Sequence, residues 1–308
     1  MRARVLLEPR YGATYDQLVA MAKTTEEAGF DAFFRSDHFL GIDPDDTSLV
    51  PTDSWTTIGG LARETSRVRL GTLMTAATFR HPGQLAIAVA TADSMSGGRV
   101  ELGLGTGWYE REHQYFGIPF PPTGERFDRM EEALAIITGL WTTPPGERFN
   151  FDGRHWRIEG CANFPRSAQR PRPRIIIGGV GARRTPRLAA RYADEFNAAL
   201  SAAEGGVVEN FRRVCEEVGR DPASVTISTV IPVSCGSTKK EAEARRDRLG
   251  DAGRRLLGNG VVGTPKDVIA HAESSRERGV DVVYFHVYDG EDLDHVRLLG
   301  AEVVPALA

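Results

Sequence analysis

The chain contains the stretch Ala28-Gly29-Phe30-Asp31-Ala32-Phe33-Phe34-Arg35-Ser36-Asp37-His38, in which the end of a helix leads directly into a buried strand. Residues 14–28 have the apolar periodicity of a helix, and Gly29 is a typical residue at which a helix stops. Residues 31–36 carry apolar side chains at consecutive positions, so both faces of the strand are apolar, as in a buried parallel sheet. The stretch therefore predicts an α/β fold and places a charged pair at the carboxyl end of the strand.

The same alternation of apolar strands and amphipathic helices continues on both sides of this stretch. The eight predicted strands are residues 5–8, 31–36, 68–75, 100–104, 175–177, 195–200, 225–233 and 282–287. The helices predicted after them are residues 14–28, 53–65, 84–96, 125–141, 183–192, 209–218, 266–278 and 293–304. Eight strands, each followed by a helix, predict a (β/α)8, or TIM, barrel. A doubly wound sheet with a second domain is the alternative, although residues 8–12 lack a dinucleotide-binding fingerprint.

The length of 308 residues is compatible with a barrel that carries insertions. A barrel alone needs about 250 residues, so we expect one domain over residues 1–308 with insertions near 143–173 and 236–262. Within the first insertion, Asp152-Gly153 indicates a hairpin, and the prolines of residues 165–173 indicate an irregular connection. Within the second, residues 239–257 are rich in charges of both signs and predict a solvent-exposed helical insertion.

Composition and charge narrow the class of partner. The 38 basic and 42 acidic residues give a net charge of −4, which does not favour nucleic acid or an anionic membrane as the main partner. The three cysteines are too few and too scattered for a zinc site or a disulfide framework, so we expect no metal and a reducing cytoplasm. A small-molecule substrate is therefore the expected partner.

In a TIM barrel the catalytic groups lie at the carboxyl ends of the strands, which selects candidate residues. Asp37 and His38 end the second strand, and an imidazole beside a carboxylate can donate or accept a proton near neutral pH. Their side chains point in opposite directions if the strand stays extended, so a direct hydrogen bond between them is not assured. Glu8 and His286 also end strands and could line a pocket. For each of them, the sequence favours a structural role and a functional role equally.

Two glycine-rich turns follow consecutive strands, at residues 103–107 and 178–181. Glycines let the backbone approach a ligand closely, and their free N–H groups can hold an anion. The second turn contains Gly181 and leads into a helix that starts near Arg183 and Arg184, where the helix N-terminus and the guanidinium groups favour phosphate. Together the two turns predict a phosphate-bearing cofactor that lies between them.

Several short motifs occur along the chain in a recognisable order. One is Gly107-Trp108-Tyr109-Glu110-Arg111-Glu112, and the others are residues 28–31, 36–39, 68–72, 79–82, 96–105, 124–127, 176–181 and 263–265. In these segments the sequence resembles the luciferase-like monooxygenase superfamily, in particular the branch that depends on the deazaflavin coenzyme F420. The resemblance covers nearly the whole chain, and it rests on the order and spacing of these motifs together.

The resemblance implies a luciferase-like barrel with insertions, a homodimer, and F420 bound at the carboxyl ends of the strands. It implies that Asp37 and His38 lie at the cofactor ring, with His38 as the proton donor or acceptor in a hydride transfer. It also implies a cis peptide bond at Leu73-Met74 behind the ring. The residues that match phosphate-binding positions of relatives are Thr106, Gly107, Gly178 and Gly179.

The sequence departs from the family pattern after the fourth strand. Some deazaflavin relatives carry a glutamate where Trp108 stands, and the next carboxylate here is Glu110, so the catalytic acid of those relatives is not carried over. A flavin mononucleotide-dependent monooxygenase is the alternative function, and a non-catalytic flavin- or deazaflavin-binding barrel is a third. The organic substrate and the direction of the reaction stay open at this point, since residues 40–53, 148–173 and 239–260 hold no recognisable specificity motif.

Overall fold

The computed structural model describes residues 1–41, 51–162, 164–198, 206–258 and 260–308. The strands are β1 (Arg2–Leu7), β2 (Ala32–Arg35), β3 (Arg69–Thr72), β4 (Thr75–Ala76), β5 (Val100–Gly105), β6 (Phe149–Asp152), β7 (Arg157–Cys161), β8 (Arg174–Gly179), β9 (Glu195–Ala198), β10 (Thr226–Cys235), β11 (Val261–Gly263) and β12 (Val282–Val287). The α-helices are α1 (Tyr15–Glu27), α2 (Ser54–Glu64), α3 (Pro82–Ser96), α4 (Glu110–Tyr115), α5 (Thr123–Thr142), α6 (Arg184–Tyr192), α7 (Val207–Glu217), α8 (Lys239–Arg248), α9 (Gly250–Leu256), α10 (Pro265–Glu277), α11 (Leu293–Glu302) and α12 (Val304–Leu307).

Eight parallel strands close into a barrel. Their order around the barrel is β1-β2-β3-β5-β8-β9-β10-β12, and β12 pairs with β1 to close it. Arg4 lies opposite Ala32 on one side and opposite Tyr284 on the other, so β1 joins the first and last strands of the barrel. The predicted TIM barrel is therefore confirmed, and the carboxyl ends of all eight strands lie at one end.

The third predicted strand, residues 68–75, is wrong as a continuous strand. The ladder with β2 ends at Thr72, and β4 pairs separately with β5. Between them lie Leu73 and Met74, whose peptide bond is cis, as the family resemblance implied. Leu73 and Met74 are themselves apolar, so the residue types at the break carry no sign of the interruption.

The two predicted insertions contain elements outside the barrel. Strands β6 and β7 form the expected antiparallel hairpin. Residues 239–257 are helical as predicted, and the segment consists of two helices, α8 and α9. Gly250 follows the end of α8 with a φ of +61°, a left-handed conformation that ends a helix.

Two apolar clusters hold the barrel together. The larger one fills the space between the strands and the surrounding helices. The smaller one fills the barrel interior and consists of Leu6, Ala32, Phe34, Leu73, Ile176, Val282 and Tyr284. Below it, the buried guanidinium of Arg4 donates to Glu101 and Glu195 at 3.1 Å and to Tyr284 at 2.6 Å. This layer closes the amino end of the barrel, and loss of one charged partner would destabilise it by about 3–5 kcal/mol.

None of the helices in the described part of the chain is both long and apolar enough to cross a bilayer.

Candidate active site

A cavity of about 450 Å³ opens at the carboxyl ends of the barrel strands. The predicted site residues that line it are Asp37, His38, Leu73, Met74, Thr106, Gly107, Gly178 and Gly179. His286 lines it as well. The barrel thus brings together residues from β2, β3, β5, β8 and β12 that are far apart in the sequence.

His38 is held by a carboxylate that the sequence did not reveal. Glu112, on α4, lies with Oε1 2.9 Å from Nδ1 of His38, and its Oε2 accepts from the backbone N–H of Phe39 at 2.9 Å. The Glu112 side chain is 1% exposed, and that of His38 is 15% exposed. A carboxylate beside Nδ1 favours the imidazole tautomer that carries its proton on Nδ1, in which Nε2 is the nitrogen that can accept a proton.

Asp37 has a different set of partners from His38. Its Oδ2 accepts from the hydroxyl of Thr75 at 2.8 Å and from Nη1 of Arg80 at 2.6 Å. Arg80 also pairs with Asp53, the N-cap residue of α2. Asp37 is 1% exposed, so this ion pair is nearly removed from water. Asp37 therefore ties the end of β2 to β4 and α2, while His38 is oriented separately by α4.

The glycine turns bring the backbone close to the cavity. A Cβ atom on Gly178 would lie 2.3 Å from Cε of Met74 and 2.8 Å from the backbone oxygen of Asn197, so no larger residue fits there. Gly107 has a φ of +78°, which a residue with a side chain rarely adopts. These turns leave room and backbone N–H groups for a ligand between β5 and β8, as a phosphate-bearing cofactor requires.

The arginines that follow the second turn do not all face the cavity. Gly181 and Arg183 are not among its described lining residues, and Arg183 is exposed. Arg184 donates to Asp128 at 2.7 Å and to the carbonyl of Gly124 at 3.0 Å, so it binds α5 instead. A role for Gly181 and Arg183 at a phosphate stays a prediction.

A second charged cluster lies at the ends of β1 and β12. Nε2 of His286 is 3.4 Å from Oε2 of Glu8, and Nε of Arg10 is 3.1 Å from Oε1 of Glu8. Burial raises the pKa of the Glu8 carboxyl, but the nearby His286 imidazole and the charge of Arg10 outweigh it and lower this pKa to about 2. The Glu8 side chain is therefore ionised at neutral pH, and it lies behind the cavity wall.

Aromatic rings surround the mouth of the cavity. Trp108, which lines the cavity, stacks on Tyr109 with ring centroids 5.2 Å apart and makes a T-shaped contact with His38 at a centroid distance of 5.7 Å. Trp108 is 65% exposed, which is high for so large an apolar side chain. The segment that contains Trp108 and Glu112 matches the family, but only the structure assigns these two residues to the cavity.

The fold and the cavity define a TIM-barrel protein with a ligand site at the carboxyl ends of its strands. The sequence model of the luciferase-like monooxygenase family matches residues 2–257, and the chain belongs to this family.

Curated relatives carry names that refer to coenzyme F420. The F420-dependent glucose-6-phosphate dehydrogenase of Nakamurella multipartita is 40% identical over 181 residues, which cover 58% of this chain and 51% of that protein. The F420-dependent hydroxymycolic acid dehydrogenase of Mycobacterium tuberculosis is 32% identical over 233 residues, which cover 74% of this chain and 62% of that protein. The chain thus spans about half the length of the first relative and less than two thirds of the second.

Solved structures share the fold along the whole chain. Monooxygenase RslO1 from Streptomyces bottropensis superposes with a TM-score of 0.83 at 21% identity and covers 100% of both chains. An F420-dependent secondary alcohol dehydrogenase, solved with an F420-acetone adduct, superposes with a TM-score of 0.83 at 19% identity and covers 100% of this chain and 99% of that chain. At such identities the likeness concerns the fold alone.

Proposed function

We propose that the chain is an F420-dependent oxidoreductase that exchanges a hydride between the deazaflavin and an organic substrate. The observation that carries this proposal is the pair His38–Glu112, with Nδ1 and Oε1 at 2.9 Å, in a cavity that also contains two glycine turns. The F420-dependent dehydrogenases among the relatives, at 32% to 40% identity, support the choice of cofactor.

The residues of the cavity fit this cofactor. The backbone at Thr106-Gly107 and at Gly178-Gly179 would hold its phosphate, since these residues line the cavity and backbone N–H groups in glycine turns can hold an anion. Leu73 and Met74 would lie behind its ring. When bound, the deazaflavin accepts or donates a hydride at C5, and the barrel excludes water from that carbon.

His38 would move the proton that accompanies the hydride. A substrate hydroxyl that loses a hydride from its carbon must also lose its oxygen-bound proton, and the reverse reaction must return it. Nδ1 is occupied by Glu112, so Nε2 is the ring nitrogen that would take or give this proton. Glu112 stabilises the imidazole when it carries the extra proton, and it keeps the ring in one orientation.

A binding titration tests the choice of cofactor. The purified protein is titrated with F420 and, separately, with flavin mononucleotide, and fluorescence and absorbance report binding. We expect saturable binding of F420 and weaker binding of flavin mononucleotide. Tighter binding of flavin mononucleotide would contradict the proposal and favour the monooxygenase alternative.

The catalytic role of His38 is tested by His38→Ala in the F420-loaded protein. General acid–base catalysis contributes roughly 100- to 10,000-fold, so we expect a loss of turnover of this order with the F420 dissociation constant changed little. His271→Ala is the matched control, because His271 lies on α10 at the outside of the barrel. Retained turnover in His38→Ala would refute the role and favour a non-catalytic binding barrel.

We also propose that residues 1–308 act as one barrel domain, in the cytoplasm and as a homodimer. Ile87 and Met95 of α3 support the dimer, since they are 46% and 37% exposed. Light scattering on the purified protein measures the mass; a monomer at micromolar concentration would contradict the dimer.

A further inference from the structure

The two halves of the cavity differ in chemistry. The glycine turns follow β5 and β8, and the strands across the barrel from them are β12 and β1. We call Leu6, His38, Val230 and His286 the opposite wall, and we add to it the ring of Trp108, which follows the β5 turn but lies 5.7 Å from the ring of His38. Leu6 and Val230 are apolar, and the exposed ring of Trp108 lies T-shaped against His38. The opposite wall is therefore mainly apolar, with two imidazoles as its polar groups.

A carboxylate lies close to each cationic or basic group on or behind the opposite wall, although His286 and Arg10 share one carboxylate, that of Glu8. His38 contacts Glu112 at 2.9 Å. His286 lies 3.4 Å from Glu8, and Glu8 in turn lies 3.1 Å from Nε of Arg10. Arg10 has a side chain only 6% exposed and is not among the described lining residues. A bound anion at the opposite wall would therefore lie close to the carboxylates of Glu112 and Glu8.

Lysine and arginine are absent from the described lining of the cavity. Residues 42–50, 163, 199–205 and 259, which lie outside the described part, also contain neither amino acid in their sequence. A phosphate monoester carries between one and two negative charges at neutral pH, and proteins bind it with arginine, lysine or rows of backbone N–H groups. Here the backbone groups of that kind lie at the glycine turns, where the cofactor phosphate is proposed to bind.

We infer that the organic substrate is an uncharged alcohol or carbonyl compound with an apolar body, and not a phosphorylated sugar or another anion. The inference rests on the proposed function, since it assigns the glycine turns to the cofactor and the opposite wall to the substrate. The apolar body packs on Trp108 and Val230, and the oxygen at the reacting carbon faces His38. In the oxidation of an alcohol, the C–H hydride passes to the deazaflavin, the O–H proton passes to His38, and the carbon becomes a carbonyl.

Matched pairs of ligands test this inference in the F420-loaded protein. Benzyl alcohol is compared with its para-carboxylate, and glucose with glucose 6-phosphate, by the change in deazaflavin fluorescence on titration. We expect benzyl alcohol to bind at least roughly tenfold more tightly than its carboxylate, and glucose 6-phosphate to bind no better than glucose. Tighter binding of either anion, or no binding of benzyl alcohol at millimolar concentration, would overturn the inference. A protein that fails to bind F420 beforehand would instead refute the proposed function.

Variants at Trp108 test whether the charge of the opposite wall decides the preference. Trp108→Arg adds a cation at the mouth of the cavity, and Trp108→Ala removes the ring without adding charge. Relative to Trp108→Ala, we expect Trp108→Arg to shift the preference toward the carboxylate by roughly tenfold. Val218→Arg is the matched control, since Val218 is exposed at the end of α7, and it should leave the preference unchanged. Equal preferences in the two Trp108 variants would overturn the inference, and unchanged F420 binding shows that each variant is folded.

Discussion

Glu112→Gln isolates the charge of the carboxylate that orients His38. The glutamine has nearly the same shape, so it still fits the buried site where Glu112 is 1% exposed. Its amide oxygen can keep one of the two hydrogen bonds that Glu112 makes at 2.9 Å, either to Nδ1 of His38 or to the N–H of Phe39. Its amide nitrogen is a donor and cannot accept the other. The variant therefore loses one charge-assisted hydrogen bond and the negative charge beside the imidazole.

The size of the effect follows from this loss. A hydrogen bond to a charged group contributes about 1.5–3 kcal/mol, which corresponds to roughly a 10- to 150-fold change in rate if the bond is needed in the transition state. We expect kcat of Glu112→Gln to fall within this range, because the imidazole loses its fixed orientation and its partner for the extra proton. The F420 dissociation constant should change little, since Glu112 acts behind His38.

Single-turnover and steady-state kinetics with F420 measure the effect, and a double variant shows whether Glu112 acts through His38. In the His38→Ala background, Glu112→Gln should cause almost no further loss of kcat, because the group it orients is already absent. Glu110→Gln is the matched control, as Glu110 lies on the same helix and is exposed. A fully additive loss in the double variant, or wild-type kcat in Glu112→Gln, would refute the reasoning.

Three other predictions follow from the packing and the pKa values. Gly178→Ala should weaken F420 binding at least tenfold and destabilise the protein by about 1–3 kcal/mol, because the new Cβ would lie 2.8 Å from the backbone oxygen of Asn197. Binding titrations and thermal melts measure the two effects. Gly124→Ala is the control, since a Cβ on Gly124 would have no atom within 4 Å. The pKa of Glu8 is lowered from 4.5 to about 2, so the stability that its charge contributes is present above pH 4.5 and is lost as the pH falls toward 2. The stability difference between wild type and Glu8→Gln should therefore shrink by about 3 kcal/mol over this range in denaturant titrations, and a constant difference would contradict it. Burial raises the pKa of Cys235 to about 12, so a thiol reagent should modify partly exposed Cys161 in the native protein and leave Cys235 unmodified, which mass spectrometry can check.

The barrel was predictable from the sequence because its signals repeat. Each buried parallel strand is apolar on both faces, and each helix has its own periodicity and stop signal. A wrong boundary for one strand or helix therefore does not change the predicted number of strand–helix units. The position of Asp37 and His38 at the carboxyl end of a strand follows from the same pattern. The glycine turns follow two of the barrel strands and were visible for the same reason.

A local error arose where the predicted strand continues through a break. The third strand is interrupted at Leu73 and Met74, although both residues are apolar. The charged segment 239–257 is helical as predicted, and the structure adds that it divides into two helices at Gly250, where φ is +61°. The order of apolar residues indicates which face of a helix or strand is buried, but it does not indicate where a strand is interrupted.

The partner of His38 could not be predicted because the contact is long-range. Glu112 is 74 residues away in the chain, and its position depends on how α4 packs over the end of β2. Arg80, which binds Asp37 across 43 residues, is a second case. A carboxylate in the family-like segment 107–112 was a signal that an acid lies near the cavity, but that segment contains two glutamates, and the sequence did not distinguish Glu110 from Glu112.

The sequence by itself determined the α/β barrel, the end of the barrel that carries the site, and the residue types that follow each strand, because these depend on periodicities within single elements. Only the tertiary structure decided which side chains meet: His38 with Glu112, Asp37 with Arg80, and Glu8 with His286. It also decided that Arg184 binds α5 and does not line the described cavity. The physical reason is that hydrogen bonds and ion pairs act over about 3 Å, so they depend on the relative placement of elements that are distant in the chain.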